Sequence, residues 1–262
     1  MDKRKFKINI TISDFPIFRN LDYSFKIAKE SGADGIELVS GFKCHRPFKS
    51  VKKLSQKYNL PVFSIHMPIW TGINIFPDFS FFKLAKELKT KYIVLHPLPC
   101  LNLDDVKSLQ FFRKMHNYSK KYKVKILLEN LPNNYQIKIV DKYFPAGKDS
   151  NDLLKILKIA DKYDFGITFD TTHLENEIPQ SEEWFKKVFP KIKNIHLSSF
   201  TENKFHLPLY LGNFKTDEFI NFLIKNNYDG LVTLEIFYPR LITFTKLNLE
   251  SFKKSVEIIR KV

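Results

Sequence analysis

Gly166-Ile167-Thr168-Phe169-Asp170-Thr171-Thr172-His173 is the stretch whose reading decides the fold. Gly166 to Phe169 alternate small or polar residues with β-branched and aromatic ones, the pattern of a short buried strand. Asp170 closes that strand and His173 follows in the turn. A hard oxygen ligand and a nitrogen ligand at a rigid strand end suit a divalent cation. By itself the segment is ambiguous, because Asp-Thr-Thr also forms an ordinary Asx turn. Its weight comes from repetition along the chain.

Working outward, strands are predicted at Phe6–Thr11, Ile36–Val39, Pro61–His66, Tyr92–His96, Val124–Glu129, Ile192–Leu197 and Gly230–Ile236. Helical periodicity fills the intervals at Asn20–Ser31, Phe48–Tyr58, Phe79–Leu88, Leu103–Lys120, Leu153–Tyr163, Ser181–Phe189, Thr216–Lys225 and Leu247–Lys261. Asn130–Gly147 and Phe200–Phe214 read as loops. Strand and helix alternate through eight units of about thirty residues, the period of a (β/α)₈ TIM barrel occupying residues 1–262 as one domain. An open doubly wound sheet is the alternative, but no Gly-rich first turn supports it.

Glu37, His66, His96, Glu129, Asp170, His196 and Glu235 fall on predicted strands two through eight, Glu37 slightly inside its strand. Barrel strands are parallel, so their C-terminal ends meet at one mouth and residues from 37 to 235 become neighbours. His173 and His206, on the following loops, join them; among the seven histidines only His45 and His116 do not. A buried carboxylate is costly unless neutralised, and several together cost more. The oxygen and nitrogen donor set, without thiolate, calls for one or two divalent ions per chain: Zn, Mn, Co, Fe or Mg.

Composition narrows the partners. Apolar residues make up 44% of the 262, and no apolar run is long enough to cross a membrane. The charged start Met1-Asp2-Lys3-Arg4-Lys5 leads straight into a strand without a signal-peptide pattern, which predicts a cytoplasmic protein. Cys44 and Cys100 are too few for a disulfide framework or a Cys-based zinc site. The net charge of +15 leaves a nucleic-acid partner open, but the lysines are spread over nearly every helix rather than gathered in a patch. Nothing in the sequence fixes the oligomeric state.

Gly35-Ile36-Glu37-Leu38, Ile65-His66-Met67-Pro68, Leu95-His96-Pro97, Leu128-Glu129-Asn130, Phe169-Asp170-Thr171-Thr172-His173, Ile195-His196-Leu197 and Leu234-Glu235 together resemble the xylose isomerase-like TIM-barrel superfamily. That superfamily holds sugar isomerases and epimerases together with endonuclease IV. For the epimerase-like members the resemblance implies one metal held by Glu129, Asp170, His196 and Glu235, with Glu129 and Glu235 moving a proton on opposite sides of the substrate carbon. For the nuclease-like members it implies a cluster: His66, His96 and Glu129 on one ion, the same four residues on a second, and His173 with His206 on a third. An aspartate two residues before that last histidine completes the third site; here the position is Lys204. The Leu-Gly-Glu-Gly loop ending appears as Leu211-Gly212-Asn213-Phe214, and the segments between strands two, three and four are compact.

These departures favour a metal-dependent isomerase or epimerase of a small sugar or sugar phosphate, working by proton abstraction through a metal-stabilised enediolate. Endonuclease IV-like hydrolysis of abasic DNA is the alternative, and a non-catalytic ligand-binding barrel a third. Glu129 and Glu235 are the expected catalytic pair. His173, His206 and Glu37 are expected to contact substrate, and Trp70, with Phe76, to wall the pocket. Lys204 and Arg240 are candidates to hold a phosphate or carboxylate.

Overall fold

The computed structural model describes residues 4–13, 21–39, 48–67, 80–97, 106–130, 150–173, 182–202, 204–236 and 246–262. Its strands are β1 (Lys7–Ser13), β2 (Gly35–Val39), β3 (Val62–His66), β4 (Tyr92–Leu95), β5 (Lys125–Glu129), β6 (Gly166–Asp170), β7 (Ile192–Leu197), β8 (Ser199–Thr201), β9 (Lys204–Leu207) and β10 (Leu231–Leu234). The helices are α1 (Leu21–Glu30), α2 (Phe48–Tyr58), α3 (Ser80–Leu88), α4 (Val106–Tyr122), α5 (Ser150–Tyr163), α6 (Glu183–Val188), α7 (Thr216–Lys225) and α8 (Lys246–Lys261).

Eight strands close into a parallel barrel in the order β1-β10-β7-β6-β5-β4-β3-β2. β1 pairs with both β2 and β10, so the open-sheet alternative is excluded. Strand boundaries match the predicted ones to about two residues. Phe200–Phe214 is a correction: β8 and β9 form an antiparallel hairpin inside the expected loop. Both strands are short, and Lys204 and Phe205 are exposed one after the other, so no apolar alternation announced them. The chain then folds back on the hairpin, where Phe214 N donates to Ser199 Oγ (3.2 Å) and Asn213 N to the Phe200 carbonyl (2.9 Å). Gly212 makes that approach feasible, since a Cβ there would collide with Ser199 Oγ and the Phe200 backbone.

Most of the core lies between strands and helices. Ile8, Ile10, Ile36, Leu38, Ile65, Ile93, Ile126, Leu128, Ile167, Ile195 and Val232 are buried members of one continuous cluster. Aromatic rings fill its wider gaps: Phe185 meets Phe169 at 4.9 Å between centroids, and Phe222 and Phe219 at 5.8 and 6.3 Å. Much of the chain's supply of 26 phenylalanines is spent on this packing.

Six helix-to-strand connections share one geometry. After α1, α2, α3, α4, α5 and α7 comes a residue in the left-handed region: Gly32, Asn59, Lys89, Lys123, Asp164 and Asn227. The next residue donates its N–H to a carbonyl five positions back: Ala33 to Ala28, Leu60 to Ser55, Thr90 to Ala85, Val124 to Ser119, Phe165 to Ala160 and Tyr228 to Leu223. Each bond satisfies an orphan carbonyl at a helix end, and the following strand enters at a fixed angle. Repeated around the barrel, this turn brings the eight parallel strands into register and their C-terminal ends to one mouth.

Candidate metal centre

Alternation along each barrel strand sends one set of side chains outward to the helices and the other inward. At the mouth the inward set is titratable. His66 ends β3, Glu129 ends β5, Asp170 ends β6 and pairs in register with His196 of β7. His96 and Glu235 follow directly on β4 and β10. All are buried except His96, which is partly exposed.

Glu129 is the hub. Its Oε2 lies 2.8 Å from His66 Nε2 and 3.0 Å from His96 Nε2, while its Oε1 lies 3.0 Å from His196 Nδ1. Glu235 Oε2 is 2.8 Å from the same His196 nitrogen, and Asp170 Oδ2 is 3.8 Å from it. Donor atoms of Glu129, Asp170, His196 and Glu235 therefore converge within the reach of one cation, as do those of His66, His96 and Glu129. Asp170, His173 and His206 form a third such group, and Glu37, His66 and His196 a fourth, deeper one.

Each imidazole is aimed by what its other nitrogen touches. His66 Nδ1 donates to the Met67 carbonyl (2.8 Å) and His173 Nδ1 to the Asn130 carbonyl (2.8 Å). Since carbonyls only accept, Nδ1 carries a proton in each, and Nε2 faces the carboxylates, able to ligate an ion once it is unprotonated. His196 is reversed: Nε2 faces Glu37 Oε1 at 3.0 Å without a well-formed hydrogen bond, and Nδ1 faces the cluster. Asp170 is prepared likewise. Thr172 N and Oγ1 take its Oδ1 (2.7 and 2.8 Å), and Asn130 brackets its backbone through bonds of 2.8 and 3.1 Å. The Asx turn thus uses Oδ1 and leaves Oδ2 for the ligand role the sequence suggests.

The unsatisfied atoms fit a cation. Asp170 Oδ2 and Glu235 Oε2 are buried without a well-formed hydrogen bond. Leaving such atoms bare is expensive, and oxygen with imidazole nitrogen is a donor set for divalent ions. Without an ion, protons take its place. Burial pushes the Glu129 carboxyl up, but His196, His96 and His66 outweigh it and hold it well below the usual range. Burial disfavours the His66 imidazolium, yet Glu129 raises it to about 9. His96, against the same oxygen, is pushed down by its burial. Of the two imidazoles on that oxygen, His66 makes the shorter contact and carries the proton. Burial raises the Asp170 carboxyl, with His173 and His206 only partly compensating.

A sequence profile described as xylose isomerase-like TIM barrel matches residues 25–262. The chain belongs to that family. An uncharacterised protein of Mycobacterium tuberculosis is 23% identical over 257 residues, covering 86% of each chain. Among solved structures, a D-allulose 3-epimerase from Methylomonas superposes with a TM-score of 0.74 at 16% identity, covering 98% of each chain. A family 2 AP endonuclease from Brucella melitensis gives 0.65 at 13% identity, over 89% of this chain and 93% of that one. Identities this low establish a shared fold.

The other predicted positions separate within this family barrel. His173 is buried beside the cluster and meets His206 edge-on at 5.4 Å. His206 takes a left-handed backbone (φ 54°) and its Nδ1 lies 3.3 Å from both Ser198 Oγ and the Glu235 carbonyl. Such strain in a non-glycine residue persists only where the surroundings fix it. Lys204 is exposed on β9. Glu37 lies deeper than expected of a substrate contact: it is fully buried and in register with Ser64, two residues before His66. His116 sits on α4, where its Nδ1 bonds the Tyr163 carbonyl (2.7 Å), away from the cluster. Trp70, Phe76, His45 and Arg240 lie outside the described residues. Asn130 and Thr172 were not anticipated in their roles; their signal was polarity immediately beside a strand-end carboxylate. Among the described residues no helix is long and apolar enough to cross a membrane.

Proposed function

We propose that the chain is a divalent-metal-dependent isomerase or epimerase of a small sugar or sugar phosphate. The observation that carries this reading is the convergence of Glu129, Asp170 and Glu235 on His196 Nδ1, with Asp170 Oδ2 and Glu235 Oε2 buried and unsatisfied. Glu129, Asp170, His196 and Glu235 would hold one ion, and His66 and His96 a second that shares Glu129. When bound, the ion supplies Lewis-acid polarisation of a carbonyl and its neighbouring hydroxyl.

Glu129 and Glu235 come from β5 and from the end of β10, on different sides of the barrel mouth. A substrate carbon between them has a carboxylate on each side, one to take its proton and one to return it. Both Glu129 oxygens are engaged by imidazoles, whereas among the described residues every polar contact of the Glu235 side chain runs through Oε2. Glu235 is therefore the freer proton acceptor. His173 and His206, at the rim of the cluster, orient substrate hydroxyls. The Methylomonas enzyme with this barrel, a D-allulose 3-epimerase, supports a ketose as the class to try first.

Phosphodiester hydrolysis is the second reading, and a specific observation favours it: four overlapping ligand groups, not one, are assembled among the described residues. Lys204 opposes it, since an ammonium replaces the carboxylate that would complete the third group. The two readings part in D₂O. Zinc- or manganese-loaded protein incubated with ketohexoses should place deuterium on the carbon beside the carbonyl. Turnover of an abasic-site duplex, with no deuterium entering any sugar, would overturn the isomerase reading. DNA binding alone decides nothing in a chain of charge +15.

A further inference from the structure

One layer beneath the cluster the barrel interior is filled by a closed ring of polar side chains. Asn9 Nδ2 donates to Ser64 Oγ (3.3 Å) and to Thr233 Oγ1 (3.3 Å). Thr233 Oγ1 donates to Asn194 Oδ1 (2.7 Å). Asn194 Nδ2 and Ser64 Oγ both donate to Glu37 Oε2, at 3.0 and 2.7 Å, and close the circuit. All five residues are fully buried and come from five different strands, β1, β2, β3, β7 and β10. A barrel interior is ordinarily packed with branched apolar side chains. An ionisable group on this floor needs another reason.

The ring leaves Glu37 with one oxygen to spend. Its Oε2 is saturated by Ser64 and Asn194, and its Oε1 faces His196 Nε2 at 3.0 Å. A carboxylate accepts, so this close contact favours a proton on Nε2, and Nδ1, which shares its proton with Glu129 when no ion is bound, would turn its lone pair to an ion that displaces that proton. His66 and His173 get the same service from backbone carbonyls. His196 gets it from a side chain, and that side chain is itself fixed by four others.

We infer that Glu37 is a positioning residue: it touches no substrate, and through the polar ring it sets the tautomer and ring plane in which His196 ligates the metal. This rests on the metal-centre reading above and adds a residue to it. Glu37→Gln is the informative change because it is nearly isosteric. The amide oxygen of Gln keeps Ser64 and Asn194, which turns its NH₂ toward His196 Nε2. A donor there favours the opposite tautomer and puts the proton on Nδ1, where the metal would bind.

The test uses the full chain and Zn²⁺ alone, with affinity read by competition against a chromophoric chelator. The His196 tautomer is read from nitrogen-15 imidazole spectra of the loaded protein. The parent should bind zinc with the His196 proton on Nε2. Glu37→Gln should bind it roughly 10–100-fold more weakly, the usual effect of losing such a partner, with thermal stability of the metal-free protein near the parent's. If the parent binds no zinc, the metal-centre reading fails and this inference with it. If the parent binds and Glu37→Gln binds equally tightly, only the role of Glu37 is overturned. Should Glu37→Gln fail to fold, Ser64→Ala tests the same claim by loosening the carboxylate without removing it. About a threefold to tenfold loss of zinc affinity is then expected, the worth of one hydrogen bond, and no loss overturns the inference.

Discussion

The two ends of this barrel are built on opposite principles. At the N-terminal end one turn is used six times, with a left-handed residue and a backbone bond to a carbonyl five positions back. Each of these turns gives a helix-end carbonyl a local partner. At the C-terminal end, among the described residues, carboxylates and imidazoles face one another, and Asp170 Oδ2 and Glu235 Oε2 lack a well-formed hydrogen bond. One end contributes stability, while the other gathers buried carboxylates whose burial cost a cation would offset. The difference teaches where to look for function: not where the fold repeats, but where its local rules are broken in a consistent direction.

The sharpest way to probe the contrast is pH, because only the mouth should respond strongly. In the metal-free protein the His66 imidazolium, raised to about 9 by Glu129, pairs with that carboxylate. A raised folded value means that its contribution is fully present below about 6.5 and is lost as pH climbs through about 9. An ion needs the same nitrogen unprotonated. Zinc uptake near neutrality should therefore release protons, and affinity should rise by up to about tenfold per pH unit for each proton displaced, levelling off above the His66 value. Calorimetry in two buffers of different ionisation enthalpy counts the protons. Binding without proton release would show that His66 is not a ligand.

A smaller effect is expected at the other end. Lys89 and Lys123 hold left-handed backbone (φ 57° and 54°) with exposed side chains, in the position glycine occupies as Gly32. Lys123→Gly removes a Cβ penalty of about 1–2 kcal/mol against about 0.5–1 kcal/mol of added unfolded-state entropy. The net is a gain of about 0.5–1 kcal/mol in stability by denaturant titration, with zinc affinity unchanged. A loss of stability, or a change in zinc affinity, would mean that the two ends are not independent.

How much of this was legible in the sequence follows the same division. Barrel and mouth could be read because apolar alternation and the seven candidate ligands at or near strand ends are properties of single segments. The β8–β9 hairpin could not, since its strands are three and four residues long and Lys204 and Phe205 are exposed one after the other, leaving no alternation to read. Glu37 was recognised as chemically significant and placed at the wrong depth for a substrate contact. A lone carboxylate in Gly-Ile-Glu-Leu does not reveal that Ser64, Asn194 and His196, far along the chain, supply its partners. The six turns carry a weak signal, Gly or Asn before an apolar residue, which Lys89 and Lys123 hide by taking the same backbone without the usual residue.

Anomalous scattering from crystals soaked in Zn²⁺ tests the central claim most directly, because it counts ions and locates them. The account predicts one strong peak bounded by Glu129, Asp170, His196 and Glu235, and a second between His66, His96 and Glu129. Crystals saturated with zinc that show no peak among those side chains would contradict it.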